Sequence, residues 1–133
     1  MNGSEHDIHL DAACAEAYLA IDDGDSGVGA VLVKDGVVQA RGHDRTNLLD
    51  DPIAMAEMDC IRAAGRRSDQ RELTLYSTRY PDMLCAGTLI QFSIGRLVVG
   101  LEEAGSPPLD LLHSKGVPVV FSPHAGCRAL AKA

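Results

Sequence analysis

No apolar run in this chain of 133 residues approaches the roughly 18 residues that a membrane-crossing helix needs. A helical membrane span is therefore excluded. The opening stretch, Met-Asn-Gly-Ser-Glu-His-Asp, has neither the basic nor the apolar region of an export leader, so a cytoplasmic location is expected. Tryptophan is absent. Internal repeats, low-complexity tracts and linkers are missing too, and residues 1–133 read as one domain, with 1–8 as a loose tail. Basic residues are scarce: 12 Lys and Arg face 19 Asp and Glu, for a formal net charge of −7. That balance argues against a protein living on nucleic-acid phosphates, because no basic stripe stands out to displace their counterions. One local cluster runs against the trend, Arg62, Arg66, Arg67 and Arg71. Placement near a helix C-terminus accounts for it, and an RNA contact is the other use.

Cysteine is sparse and spread out. Cys14, Cys60, Cys85 and Cys127 are widely spaced, each in a different expected helix, which favours free thiols over disulfides in a protein of this type. Cys14, Cys60 and Cys127 sit among Ala, Met and Leu and read as small buried hydrophobes.

What is present is a regular alternation of helices and strands, punctuated by 13 glycines. From His9 to Ile21, Leu10, Cys14, Tyr18 and Ile21, with Ala13 and Ala17 beside them, recur at helical spacing and predict an amphipathic helix. The acidic loop Asp22-Asp23-Gly24-Asp25-Ser26-Gly27 ends it, without the ligand spacing or terminal glutamate of a calcium loop. Residues 28–33 and 37–42 predict a hairpin around Lys34-Asp35-Gly36. A polar loop then leads to a second helix, with Asp51 as cap and Pro52 in the first turn, running to about Ala64 and stopped by Gly65. A strand within 72–77, a helix from Pro81 to about Phe92, a strand at 96–100 and a short helix at 107–114 follow. The last strand, 117–121, carries Pro118 and so belongs at an edge; a helix from His124 to Lys132 closes the chain. This order suits a three-layer α/β/α sandwich around a mixed five-stranded sheet.

Two segments carry the chemistry: Asp51-Pro52-Ile53-Ala54-Met55-Ala56-Glu57-Met58 and Pro81-Asp82-Met83-Leu84-Cys85. Both enter helices from loops. They resemble the His-Ala-Glu and Pro-Cys-x-x-Cys motifs of the zinc-dependent cytosine, nucleoside and tRNA-adenosine deaminases. Gly27 to Gly36 resembles that family's first hairpin, and Arg41-Gly42-His43-Asp44 its Gly-His-Asn segment, with Asp44 at the base-binding asparagine position. Cys85-Ala86-Gly87-Thr88-Leu89-Ile90 and Arg96-Leu97-Val98-Val99-Gly100 continue the likeness, which covers roughly residues 10–101. The resemblance implies a cytidine-deaminase-like fold, a nucleobase-sized small-molecule substrate and a homodimer.

In such enzymes three protein ligands hold zinc and a glutamate moves the proton. Here Glu57 stands at the glutamate position and Cys85 at the second cysteine position, but Met55 replaces the histidine and Asp82 the first cysteine. A thioether is a poor zinc ligand, so the departures from the family pattern lead to an expectation of no cofactor; if any metal bound, Asp82 and Cys85 would hold it. Three uses of the pocket stay open at this point. In the first, an enzyme has changed its chemistry: Glu57 exchanges protons, and Cys85, in the first turn of a helix whose dipole lowers a thiol pKa, attacks an electrophilic carbon. His43, Asp44, Met55, Ala56 and Asp82 would contact the substrate, although the charge of Asp82 would raise the Cys85 pKa. In the second, a non-catalytic relative binds a base or serves as a structural subunit. In the third, atypical ligands still hold a metal for hydrolytic deamination. On the charge argument, nucleic acid is not an expected partner.

Overall fold

Strand alternation around two glycines fixes how the helices seat on this protein. The computed structural model describes residues 3–132. In chain order the elements are α1 (Gly3–Asp22), β1 (Gly29–Lys34), β2 (Val37–His43), α2 (Ala56–Ala64), a 3-10 turn (Gln70–Glu72), β3 (Thr74–Ser77), α3 (Met83–Gln91), β4 (Arg96–Val99), α4 (Pro107–Ser114), β5 (Val119–Phe121) and α5 (Ala125–Lys132). The sheet order is β2-β1-β3-β4-β5, antiparallel on both sides of β1 and parallel from β3 to β5. Helices cover both faces, giving the three-layer α/β/α sandwich expected from the sequence.

The hairpin turns on Asp35 and Gly36, both at positive φ (50° and 76°), the conformation that Asp-Gly supplies to a two-residue turn. Gly29 pairs with His43 and Ala30 with Gly42, so each pair looks to one face of the sheet. On one face α1 passes so close that a Cβ on Gly29 would stand 2.0 Å from the Ala13 carbonyl oxygen. On the other, a Cβ on Gly42 would stand 2.3 Å from the Cys60 nitrogen in α2. The space between sheet and helices is filled by aliphatic side chains, with Leu32, Leu75, Leu97, Val98 and Val99 almost wholly buried. Continuous burial along β3 and most of β4 is what parallel strands covered on both faces require. Pro118 directly precedes β5, an edge strand, as its missing N–H demands.

Three expectations need correction. Helix α1 begins at Gly3, so residues 3–8 are helical rather than a tail; Met1 and Asn2 lie outside the described residues. His6 and His9, which sequence reading assigned to the tail and its edge, are buried, and their rings lie against Tyr76. The buried stripe of α1 is Leu10, Ala13, Cys14, Ala17 and Ala20, whereas Tyr18 and Ile21 face outward. Small residues win those positions because the Gly29 approach leaves no room for large ones. Helix α2 starts at Ala56 with Met55 as its N-cap, so Asp51 and Pro52 belong to the preceding loop.

Backbone contacts this tight make a stability prediction. Gly29→Ala and Gly42→Ala should each cost about 1–3 kcal/mol or more, as overpacking does. Gly87→Ala in α3, where an added Cβ meets nothing within 4 Å, should be neutral or stabilising. Denaturant midpoints of the three variants check this.

Candidate functional site

Beyond the ends of β2 and β3, where α2 and α3 begin, lies a small open cavity of about 110 Å³. Its walls are Val28, Asp44, Met55, Ala56, Glu57, Arg79, Tyr80 and Asp82. Five of the seven residues singled out in the sequence therefore meet here: Glu57, Asp44, Met55, Ala56 and Asp82. His43 and Cys85 are not in the lining.

Glu57 is buried in the first turn of α2, where its carboxylate Oε1 accepts a hydrogen bond from Ser77 Oγ at 3.1 Å. Ser77 pairs with Ala30, on the same sheet face as Gly42, and so points toward α2. Burial is the main influence on the Glu57 carboxyl and pushes its pKa up; its own backbone N–H and Ser77 oppose this, and Asp82 adds to it. The proton is thus held more firmly than in a free glutamate.

Asp82 is the N-cap of α3, and its Oδ1 accepts from the Cys85 N–H at 2.8 Å. The carboxylate serves an otherwise unpartnered backbone donor of the first turn. Cys85 is only 1% exposed. Burial first, then the Glu57 and Asp82 carboxylates, push its thiol well above the ordinary value. This corrects the expectation of a thiolate activated by the helix start, because desolvation and two neighbouring acids outweigh the dipole.

His43 follows from strand parity. It shares a sheet face with Gly29 and so turns toward α1, where Nδ1 meets Glu16 Oε1 at 2.9 Å; Nε2 lies 3.9 Å from Asp23. Asp44, one residue on, faces the cavity and folds its loop by accepting the Thr46 N–H at 2.9 Å. Arg79, Tyr80 and Val28 were missed. The only signal for the first two was their place just before Pro81. Arg79 is exposed at the rim, while the Tyr80 hydroxyl donates to the Glu102 carbonyl and its ring leans on Phe121.

The zinc of the resembling enzymes does not fit this pocket. Met55 offers a thioether, a poor zinc ligand, and Asp82 spends one carboxylate oxygen on a helix cap, so of the three positions only Cys85 keeps a soft donor. Among the described residues, one group of three His, Cys, Asp or Glu side chains has donor atoms close enough for a metal: Cys14, His124 and Cys127, within 4.8 Å of one another. It lies between α1 and α5. Cys14 and Cys127 are buried in the core, as expected of small hydrophobes, and His124 stands at the start of α5, where its ring also meets Asp11. Cys60 matches its expectation: it is fully buried, and burial pushes its thiol up to about 12.

The family described as the cytidine and deoxycytidylate deaminase zinc-binding region matches residues 4–101. Over 97 residues the chain is 40% identical to the chloroplastic tRNA(adenine(34)) deaminase of Arabidopsis thaliana, covering 71% of this chain and 7% of that protein. Over 92 residues it is 35% identical to the tRNA-specific adenosine deaminase of Aquifex aeolicus, covering 67% of this chain and 61% of the relative. It spans less than two thirds of either relative. A solved structure from studies of A-to-I editing by tRNA:A34 deaminases superposes with a TM-score of 0.75 at 26% identity, covering 93% of this chain and 96% of that one.

These relatives overturn the expectation, drawn from net charge, that nucleic acid is an unlikely partner. Net charge sums the whole surface and says little about any one patch. Arg62, Arg66 and Arg67 line a single larger cavity of about 470 Å³ despite the net charge of −7. No helix of the described residues is long and apolar enough to cross a membrane. By its fold and by the match over residues 4–101, the chain belongs to the cytidine and deoxycytidylate deaminase family, as a divergent member with an atypical metal-binding cluster.

Proposed function

We propose that this chain is a catalytically silent deaminase homologue whose Glu57 pocket binds a nucleobase presented by tRNA. One observation carries the reading: of the three positions that would hold zinc, one is a thioether and one is a carboxylate that caps a helix, so only Cys85 keeps the family's donor type. The remaining residues favour recognition. A protonated carboxyl offers a donor and an acceptor side by side, which matches the ring-nitrogen and amino edge of adenine or cytosine. Burial biases Glu57 toward that form. At about 110 Å³ the cavity is below the roughly 300 Å³ at which pockets begin to enclose drug-sized ligands, so it suits one ring rather than a whole nucleotide. Arg79, exposed at the rim, is set to meet a phosphate next to the bound base. The tRNA part of the proposal draws on the relatives named as tRNA deaminases.

The central test pairs a binding assay with an activity assay. Unmodified tRNA should bind by fluorescence anisotropy, yet adenosine-to-inosine and cytosine-to-uracil conversion should stay at the level of Glu57→Gln, with or without added zinc. Conversion by the wild-type chain that Glu57→Gln abolishes would sink the proposal and restore hydrolytic deamination through atypical ligands. Glu57→Gln keeps a donor beside an acceptor and should retain binding, whereas Glu57→Ala should lose it.

Arg79→Ala should weaken tRNA binding at low salt and reduce the slope of log affinity against log salt by about 1. An unchanged slope would remove Arg79 from the interface.

The raised Glu57 pKa also has a stability consequence. The native state holds this proton to higher pH than the unfolded chain does, so stability is greatest below the ordinary glutamate range. It falls as pH rises from there through the folded pKa. Glu57→Gln should therefore raise Tm relative to wild type at about pH 8 and lose that advantage at about pH 4, near the ordinary glutamate value. Melts across pH decide; a pH-independent difference would mean that the carboxyl titrates normally.

A further inference from the structure

We propose that Cys14, His124 and Cys127 form a zinc-class divalent cation site, separate from the Glu57 cavity, that ties the first helix to the last. The sulfurs of Cys14 and Cys127 lie 3.7 Å apart. Two thiolates sharing a tetrahedral ion at Zn–S distances near 2.3 Å stand about 3.7 Å apart, so little rearrangement is required. His124 Nδ1 is 3.9 Å from the Cys14 sulfur. On the far side of the ring, Nε2 meets Asp11 Oδ1 at 2.7 Å. A carboxylate there keeps the proton on Nε2 and leaves the Nδ1 lone pair facing the sulfurs, the orienting arrangement found behind metal-bound histidines.

Packing supports the convergence. A Cβ on Gly126 would stand 3.0 Å from His124 Cε1 and 3.1 Å from the Cys14 sulfur, and one on Gly100 would stand 2.3 Å from the Cys127 sulfur. Glycine at both positions lets an imidazole and two sulfurs share one small volume. Soft sulfur donors with one imidazole select zinc-like ions over calcium or magnesium, and two thiolates balance the ion's charge. Three protein ligands leave a fourth position for water. Cys14 and Cys127 are buried while Asp11 is exposed, so an ion would enter from the Asp11–His124 side.

Without an ion, Nδ1 accepts the Cys127 N–H at 3.2 Å and caps the start of α5. Binding would give up that hydrogen bond and the one between the two sulfurs, release both thiol protons to solvent, and form three metal bonds. The ligands come from sequence positions more than 100 residues apart, so the ion would cross-link α1 to α5.

The test uses the full chain, reduced and stripped with a chelator, titrated with Co²⁺ and then with Zn²⁺. The expected result is one Co²⁺ per chain with the intense absorption of thiolate ligation, displaced by Zn²⁺, and a Tm several degrees higher in the metal-bound protein. Cys127→Ser and Cys14→Ser should lose the thiolate band and the Tm shift while keeping the wild-type circular dichroism spectrum. His124→Ala should weaken binding at least tenfold. Asp82→Asn, in the other pocket, should bind as wild type does. Reduced wild-type protein that binds no Co²⁺ overturns the proposal, and so does a thiolate band that survives in Cys127→Ser. Deaminase activity enters neither readout, so this result is independent of the function proposed for the Glu57 pocket.

Discussion

The pairing of Gly29 with His43 and of Ala30 with Gly42 is the constraint on which the rest of this molecule depends. Side chains on a strand alternate between faces, so this register decides which glycine admits α1 and which admits α2. Through Ala30 it also orients Ser77, and through Ser77 it anchors Glu57. A slip of one residue would exchange the faces, sending His43 toward the cavity and breaking both helix contacts. The site takes its geometry from this backbone packing.

Within that frame, the chemistry turns on how one carboxylate is used. Asp82 and Cys85 are close in sequence, and a metal could in principle recruit both. A capping hydrogen bond instead commits Asp82 to the Cys85 N–H. That bond stabilises α3 and keeps a negative charge beside an already buried thiol. The same few atoms thus disfavour a nucleophilic thiolate. What persists is a cavity with a proton-retaining glutamate at its wall and an arginine at its rim, a combination suited to holding a base.

Much of this was legible in the chain. Element order, the Asp-Gly hairpin, the stop at Gly65 and the edge position of Pro118 all rest on local backbone chemistry that sequence expresses directly. The pocket was readable wherever its residues sit beside motif landmarks, as Asp44, Met55, Glu57 and Asp82 do. The direction of His43 was not legible, because its face depends on cross-strand register, which one strand alone does not reveal. The Cys85 pKa was misread because a helix-start effect is local, whereas burial is a property of the whole fold. Cys14, His124 and Cys127 were invisible as a group because the folded chain, not spacing, brings them together. Partner choice failed for a related reason, since a sum of charges carries no map.

The cap on α3 also bears on how easily the site could be remade. At the three ligand positions only Met55 and Asp82 depart from the family pattern, so two replacements would complete a histidine and two cysteines. The replacement at Asp82 would also remove a helix cap, a loss of about 0.5–2 kcal/mol before any ion arrives to compensate. Apo protein would bear that penalty alone, and metal would repay it only where metal is plentiful. Completing the family's ligand set would therefore pass through a variant less stable than the present chain until metal binds.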